Sequence, residues 1–309
     1  MKTALVFSGQ GSQYVGMLSD YYEKYEKAKN LIEKANDILG YDLKSIMFNG
    51  PLEVLKETRY TQPAIYLHSS VILELTKNKI VFDYTAGHSV GEYAALFASN
   101  VISFEDGLKL VAKRGELMFE AGLEKPGTMF AIINLDDEKI EQICRELTEK
   151  GNGNIVVAAN YNSPGQVVVS GSKDYLRENI EAFKSAGARM VKELVVSGAF
   201  HSPLLDSAKE KLSEEINNVK FNDAVYPIIS NVYAEPLVNA NEIKNALILQ
   251  LTSPVKWTQS VKKLKELNVS KFIEIGPGNV LQGLIKRTIT DVEIEGIDKA
   301  EEIEKYFYN

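Results

Sequence analysis

The sequence predicts an α/β protein, a parallel-sheet domain interrupted by a small α+β block. Two observations predict it. Towards both ends of the chain, short apolar runs that stop at glycine or polar turns alternate with longer helical patterns, as in sheets built from βα units. Between them, the chain reads strand, helix, strand, strand, helix, strand, the order of the ferredoxin-like fold.

Thr3 to Phe7 is a short buried strand that runs into the glycine-rich turn after Ser8. Leu18 to Leu39 reads as one Lys/Glu-rich surface helix, and Pro63 to Lys77 as a buried helix with Ile65, Leu67, His68, Val71, Ile72 and Leu75 inside. Val81 to Ala86 is strand-like and enters Gly87-His88-Ser89-Val90-Gly91, after which Glu92 to Ser99 reads as helix. Ser103-Phe104-Glu105-Asp106 resembles a capping box and opens a helix to about Ala121.

The inserted block follows. Its strands are Thr128 to Ile133, Ile155 to Asn160, Gln166 to Ser170 and Arg189 to Val195, and its helices are Asp137 to Lys150 and Tyr175 to Ala186. Lys125-Pro126-Gly127 and Val196-Ser197-Gly198 are its crossing points, so residues 126–196 form the inserted subdomain and residues 1–125 with 197–309 the outer one. Then come a helix from Pro203 to Asn217 capped by Ser202, a strand from Tyr226 to Asn231, and helices over Glu242 to Leu251 and Val255 to Leu267. A strand from Lys271 to Ile275 enters Gly276-Pro277-Gly278, followed by a helix to about Arg287.

Composition narrows the function classes. At 309 residues, with 45% hydrophobic and 25% charged residues, the chain reads as a globular protein of roughly two domains. Its one cysteine, Cys144, excludes a disulfide framework and a cysteine-based zinc site. The three histidines have no pair at the i, i+4 spacing of a helical zinc site. No apolar run reaches the ~18 residues of a membrane span. The N-terminal run from Ala4 to Phe7 is too short for a signal peptide, so a cytoplasmic setting is expected. A net charge of −7 argues against nucleic acid as a partner.

The sharpest local feature is Gly87-His88-Ser89-Val90-Gly91 between a strand and a helix. A serine on such a turn is pushed out of the sheet edge, and glycines two before and two after allow strand and helix to approach closely. The Val90 N–H then lies at a helix N-terminus, where it faces a developing oxyanion. Such a serine needs a base. His88 is adjacent and diverges from it, and His68 sits in an apolar helix. His201 precedes a helix N-terminus, whose positive end keeps the imidazole neutral, and elimination favours it. A purely structural His201 stays open at this point.

No Asp or Glu stands out as a third member. Asp136, Asp137 and Asp174 read as helix-start residues and Asp206 as a solvent-facing one, which leaves a dyad with the imidazole oriented by a backbone carbonyl. Gly9-Gln10-Gly11 fails the dinucleotide fingerprint because Tyr14 stands where glycine is required. It is either a plain turn or the source of a second oxyanion N–H. Arg114 falls at the border of the apolar stripe formed by Leu108, Val111, Ala112, Gly115, Met118 and Phe119. It reads either as a solvated arginine lying along the edge or as a bidentate carboxylate clamp.

Taken together, Phe7-Ser8-Gly9-Gln10-Gly11-Ser12-Gln13, Gly87-His88-Ser89-Val90-Gly91-Glu92, Arg114, Gly198-Ala199-Phe200-His201, Gln250 before Pro254-Val255-Lys256-Trp257, and Gly276-Pro277-Gly278 resemble the malonyl-CoA:acyl-carrier-protein transacylases. The resemblance runs from about residue 3 to residue 287 and extends to acyltransferase domains of polyketide synthases. It implies an α/β-hydrolase-like large domain with the ferredoxin-like insertion. It implies ping-pong transfer, with no bound cofactor and with malonyl-CoA as substrate, through a malonyl-Ser89 ester, with His201 as base and acyl carrier protein as partner. Gln10 and Val90 would supply the oxyanion N–H groups, Arg114 would hold the malonyl carboxylate, and the Gln250 carbonyl would orient His201. Gln62, Met118 and Asn160 would line the pocket, and Phe200 would crowd an α-methyl group. A cytoplasmic monomer serving fatty-acid synthesis is expected, without nucleic acid or membrane as partner. One departure is Ser8, which stands where proline is frequent in the family. A discrete polyketide acyltransferase, a serine esterase or thioesterase on the same fold, and a non-catalytic carrier-docking module are the alternatives.

Overall fold

The computed structural model describes residues 2–307. The first strand, β1 (Lys2–Phe7), carries Ala4, Leu5, Val6 and Phe7 fully buried, the uninterrupted apolar run of a strand covered on both faces. Helices α1 (Ser19–Lys24), α2 (Glu26–Leu39), α3 (Leu43–Asn49), α4 (Leu52–Leu55) and α5 (Thr58–Leu75) follow. The region expected as one helix from Leu18 to Leu39 is therefore two. Tyr25 adopts an extended backbone between them, with its ring against Tyr21 and Phe307, so tertiary packing overrides local propensity. Helix α5 starts five residues before the expected Pro63, which sits just past its first turn.

Strand β2 (Tyr84–Gly87) leads through the Ser89 turn to α6 (Gly91–Ala98). Helix α7 (Phe104–Glu124) opens on Ser103, whose hydroxyl accepts from the Asp106 N–H at 3.0 Å, the expected cap. The next block comprises β3 (Gly127–Ile133), α8 (Asp137–Lys150), β4 (Val156–Ser163), β5 (Gln166–Ser172), α9 (Lys173–Glu178), α10 (Glu181–Ser185) and β6 (Met190–Glu193). Its sheet has the order β4-β5-β3-β6, with all neighbours antiparallel, which is the ferredoxin-like arrangement. The single helix expected from Tyr175 to Ala186 is broken at Asn179, whose side chain donates to the Tyr175 carbonyl at 2.8 Å and satisfies the end of α9.

A 3₁₀ turn at Pro203–Leu205 precedes α11 (Asp206–Asn218). Then come β7 (Ile228–Ile229), β8 (Pro236–Leu237), α12 (Ala240–Gln250), α13 (Trp257–Glu266), β9 (Val269–Ile275), α14 (Val280–Thr288) and β10 (Glu293–Ile297). Strand β7 is far shorter than the expected Tyr226–Asn231. Pro227 lacks an N–H for the ladder, and Asn231 turns away into hydrogen bonds described below. Strand β10 escaped the sequence pattern because it is a charged edge strand, with Glu295 paired to Lys271 at 2.9 Å.

The larger sheet has the order β10-β9-β1-β2-β7-β8, parallel except for β8. The C-terminal ends of β1, β2, β7 and β9 lie along one edge, where parallel sheets bind ligands. Helices α5 and α7 cover one face in the main core, with Tyr66 stacked on Phe104. Trp257, Val261, Leu264, Leu281 and Ile285 cover the other. The antiparallel sheet has its own core under α8 to α10, while Met129, Ala159 and Val168 from its other face join the main core. Among the described residues, no helix is long and apolar enough to cross a membrane.

At the sheet edge, backbone meets backbone. A methyl group at Gly87 would overlap the carbonyl of Gly91, and one at Gly91 would overlap the carbonyl oxygen of Phe7. Gly91→Ala is therefore expected to lower the urea unfolding free energy by about 3 kcal/mol, the upper range of overpacking. A loss below about 1 kcal/mol would show that the turn can relax.

Candidate active site

Ser89 sits at the apex of the turn from β2 to α6 with φ 53°. A serine in this left-handed region is strained by about 1–3 kcal/mol and needs its surroundings to hold it there. They do so on both sides. The Ser89 N–H donates to Asn231 Oδ1 at 2.8 Å, and its carbonyl accepts from Gln250 Nε2 at 2.9 Å. Asn231 Nδ2 also donates to the Gly87 carbonyl at 2.6 Å, gripping the turn from the end of β7.

His201, also at a positive φ of 56°, lies 2.8 Å through Nε2 from Ser89 Oγ. Its Nδ1 lies 2.9 Å from the Gln250 backbone carbonyl. A carbonyl only accepts, so Nδ1 carries the proton and Nε2 is free to take the serine proton. The ring is buried, and burial together with the nearby Arg114 guanidinium pushes its pKa down to about 3. It is a neutral imidazole throughout the neutral range. The expected pairing of Ser89 with His201, without a carboxylate on the imidazole, is what the geometry has.

Arg114 is not at a solvated edge. It is 1% exposed, and the edge-lying alternative is set aside. Its Nη1 donates to Gln62 Oε1 at 2.7 Å, and Nη2 donates to Gln250 Oε1 at 2.9 Å and Ser89 Oγ at 3.0 Å. Helix α7 points it across α5 at the serine, and Gln62 in turn donates to Met118 Sδ at 3.1 Å. Every partner of the guanidinium is neutral. Burial disfavours its charge, yet guanidinium stays protonated because its intrinsic pKa exceeds 12. The buried acid Glu92 makes no ion pair with it; the two favour each other's charge across Gln250, whose Nε2 donates to Glu92 Oε2 at 2.6 Å. Burial pushes the Glu92 carboxyl up to about 7.

Gln10 and Val90 are placed on the turns after β1 and β2. Among the described residues, neither backbone N–H donates to a protein acceptor. The Gln10 side chain donates to Thr58 Oγ1 at 3.1 Å, which bonds Ser197 Oγ at 2.9 Å. Ser8, the unusual residue of this turn, donates to the buried Glu274 at 2.9 Å, and Glu274 also accepts from the first N–H groups of α14. Phe200 is buried beside His201 against the main core. Asn160 is buried and bridges through its backbone to Val255, and no side-chain hydrogen bond ties it to the serine. His88 turns away to Asn162 Oδ1 at 2.8 Å, and His68 is a core histidine with Nε2 3.1 Å from Asp298. Among the described residues, no three His, Cys, Asp or Glu side chains are grouped to hold a metal ion.

Sequence reasoning missed Asn231 and gave Glu92 no role. The available signal was an amide at the C-terminal end of a strand, which points to the site only once β7 is known to lie beside β2. The arrangement provides a hydroxyl, a neutral base, two free N–H groups and a buried cation, the parts needed for acyl transfer from an anionic acyl group.

The acyl transferase domain profile matches residues 4–306. The chain is 42% identical to the malonyl CoA-acyl carrier protein transacylase of Staphylococcus aureus (strain MRSA252), covering 100% of this chain and 99% of that one. It is 42% identical to the enzyme of the same name from Bacillus subtilis (strain 168), covering 98% and 95%. An acyl carrier protein S-malonyltransferase from Vibrio cholerae superposes with a TM-score of 0.93 at 39% identity, covering 99% of each chain. A malonyl-transacylase solved in complex with its type II polyketide acyl-carrier protein superposes with a TM-score of 0.94 at 38% identity, again covering 99% of each. On this end-to-end agreement of sequence, fold and profile, the chain belongs to the acyl transferase domain family.

Proposed function

We propose that the protein transfers a malonyl group from malonyl-CoA to the phosphopantetheine thiol of acyl carrier protein, using no resident cofactor. The observation that carries this reading is the single cluster in which Ser89 Oγ meets both His201 Nε2 and the buried Arg114 guanidinium. A nucleophile beside a buried cation that has no ion-pair partner suits an acyl group with its own carboxylate. The relatives named above support the same donor and acceptor. Supply of extender units for fatty-acid synthesis in the cytoplasm is the setting we assign.

Ser89 Oγ attacks the thioester carbonyl as His201 Nε2 takes its proton. The tetrahedral oxyanion accepts from the N–H groups of Gln10 and Val90. Collapse breaks the C–S bond, and imidazolium returns the proton to the leaving thiolate. The carrier thiol then attacks the Ser89 ester, giving its proton to His201, which delivers it to the departing Ser89 oxygen. Arg114 holds the malonyl carboxylate through both steps. Gln62 and Met118 fix its fork, Gln250 orients His201, and Phe200 and Asn160 shape the acyl pocket. Residues 126–196 form a subdomain inserted between residues 1–125 and 197–309, with the acyl group bound where the two meet.

Carrier loading tests this reading. Wild-type protein is expected to move radiolabelled malonyl from malonyl-CoA to holo-acyl-carrier protein, and Ser89→Ala to abolish it; sustained loading by that variant would remove Ser89 from the mechanism. Arg114→Ala is expected to depress malonyl transfer about 100-fold more than acetyl transfer, the scale of a lost charge-assisted pair. Equal losses with both donors would make Arg114 structural.

A further inference from the structure

Glu92, the second residue of α6, is buried to 4% exposure, yet its carboxylate touches two neutral donors and no cation. Oε2 accepts from Gln250 Nε2 at 2.6 Å and Oε1 from the Asn231 N–H at 3.3 Å. These are the two residues that hold Ser89, Asn231 by its N–H and Gln250 by its carbonyl. Gln250 also accepts from Arg114 through Oε1 and from His201 through its backbone oxygen. One glutamine therefore reaches the serine, the imidazole and the guanidinium.

An amide has two ends, and something must decide which faces which neighbour. A guanidinium only donates and a carboxylate only accepts, so a glutamine between them has one satisfied orientation. Within the acyl-transfer reading, we propose that Glu92 is a positioning residue whose carboxylate, through Gln250 and Asn231, holds Ser89 in its left-handed conformation and aims Arg114 and His201 at it. The ionised form is required, because both of its partners are donors. A protonated Glu92 would set a hydroxyl against one of them, weakening its hold on Gln250 or on Asn231.

The charged and titratable groups that act on Glu92 are Arg114 from α7 and Tyr93 in α6 itself; His201 shares Gln250 with it, and His88 lies four residues before it in the chain. Burial moves both histidines down, Tyr93 up to about 12 and Glu92 up to about 7. The acylation rate of the wild type is therefore expected to rise with pH through about 7, as the carboxylate forms.

The test is single-turnover malonylation of Ser89 by malonyl-CoA in the full chain, with Glu92→Gln as the variant and thermal unfolding as the check on folding. Glu92→Gln must set an NH2 group against one of the two donors. Its acylation rate at saturating donor is expected to fall about 100-fold, the scale of a small misplacement of reacting groups. The rise near neutral pH should vanish, and Glu92→Asp, which keeps the charge at shorter reach, should restore part of the rate and the pH dependence. A Glu92→Gln variant at wild-type rate, or a slow one that keeps the wild-type pH dependence, would overturn the role. If Glu92→Gln does not fold, the wild-type profile decides: a rise through about pH 7 supports the role and a flat profile overturns it. A wild type that accepts no malonyl group would overturn the acyl-transfer reading, and this role with it.

Discussion

The site depends on one close backbone contact, where the turn after β2 is pressed against the end of β1. Gly91 lies on the Phe7 carbonyl and Gly87 on Gly91, with no space for a side chain at either position. That contact forces the residue between them into the left-handed region and turns Ser89 Oγ out over the strand ends. It also brings the turn after β1 next to the turn after β2, with Gly9 against the His88 carbonyl. The strain is local, but its support is long-range. Asn231 and Gln250 grip Ser89 from β7 and α12, more than 140 residues away in sequence.

Electrostatics set the chemistry that this scaffold performs. His201 is buried beside a cation and bonds peptide carbonyls instead of a carboxylate, so burial and the cation outweigh the support those carbonyls give its protonated form. In the proposed mechanism it acts as a base towards a proton delivered directly by Ser89 or by an incoming thiol. The cation itself is ringed by amides, Gln62 and Gln250, which orient the guanidinium without neutralising it. A buried guanidinium with neutral partners is costly to the fold and receptive to an arriving carboxylate. The guanidinium, the imidazole and the serine share one set of hydrogen bonds, and Gln250 is their common member.

Legibility in the sequence followed the range of each interaction. Ser89 and its glycines were readable because the turn chemistry is contained in five consecutive residues, and His201 was reachable because only three histidines exist. The order of the inserted strands was readable because the β4–β5 turn and the α8 periodicity are local. Arg114 was ambiguous because a helix-border position fits both water and a cleft, and only α5 packed on α7 decides between them. Asn231 was invisible because its role requires β7 to lie beside β2. The breaks at Tyr25 and Asn179 were missed for the same reason in part: ring packing from the chain's far end interrupts one helix, while a side-chain amide ends the other.

The central claim is that Ser89, His201 and Arg114 together form a covalent malonyl ester. Its most direct test is to incubate the purified protein with malonyl-CoA and no acceptor, then take the intact mass and a peptide map. The account predicts one stable malonyl adduct, on the peptide that carries Ser89. Steady release of CoA with no adduct would contradict it and indicate a hydrolase, for which water and not a carrier thiol is the acceptor.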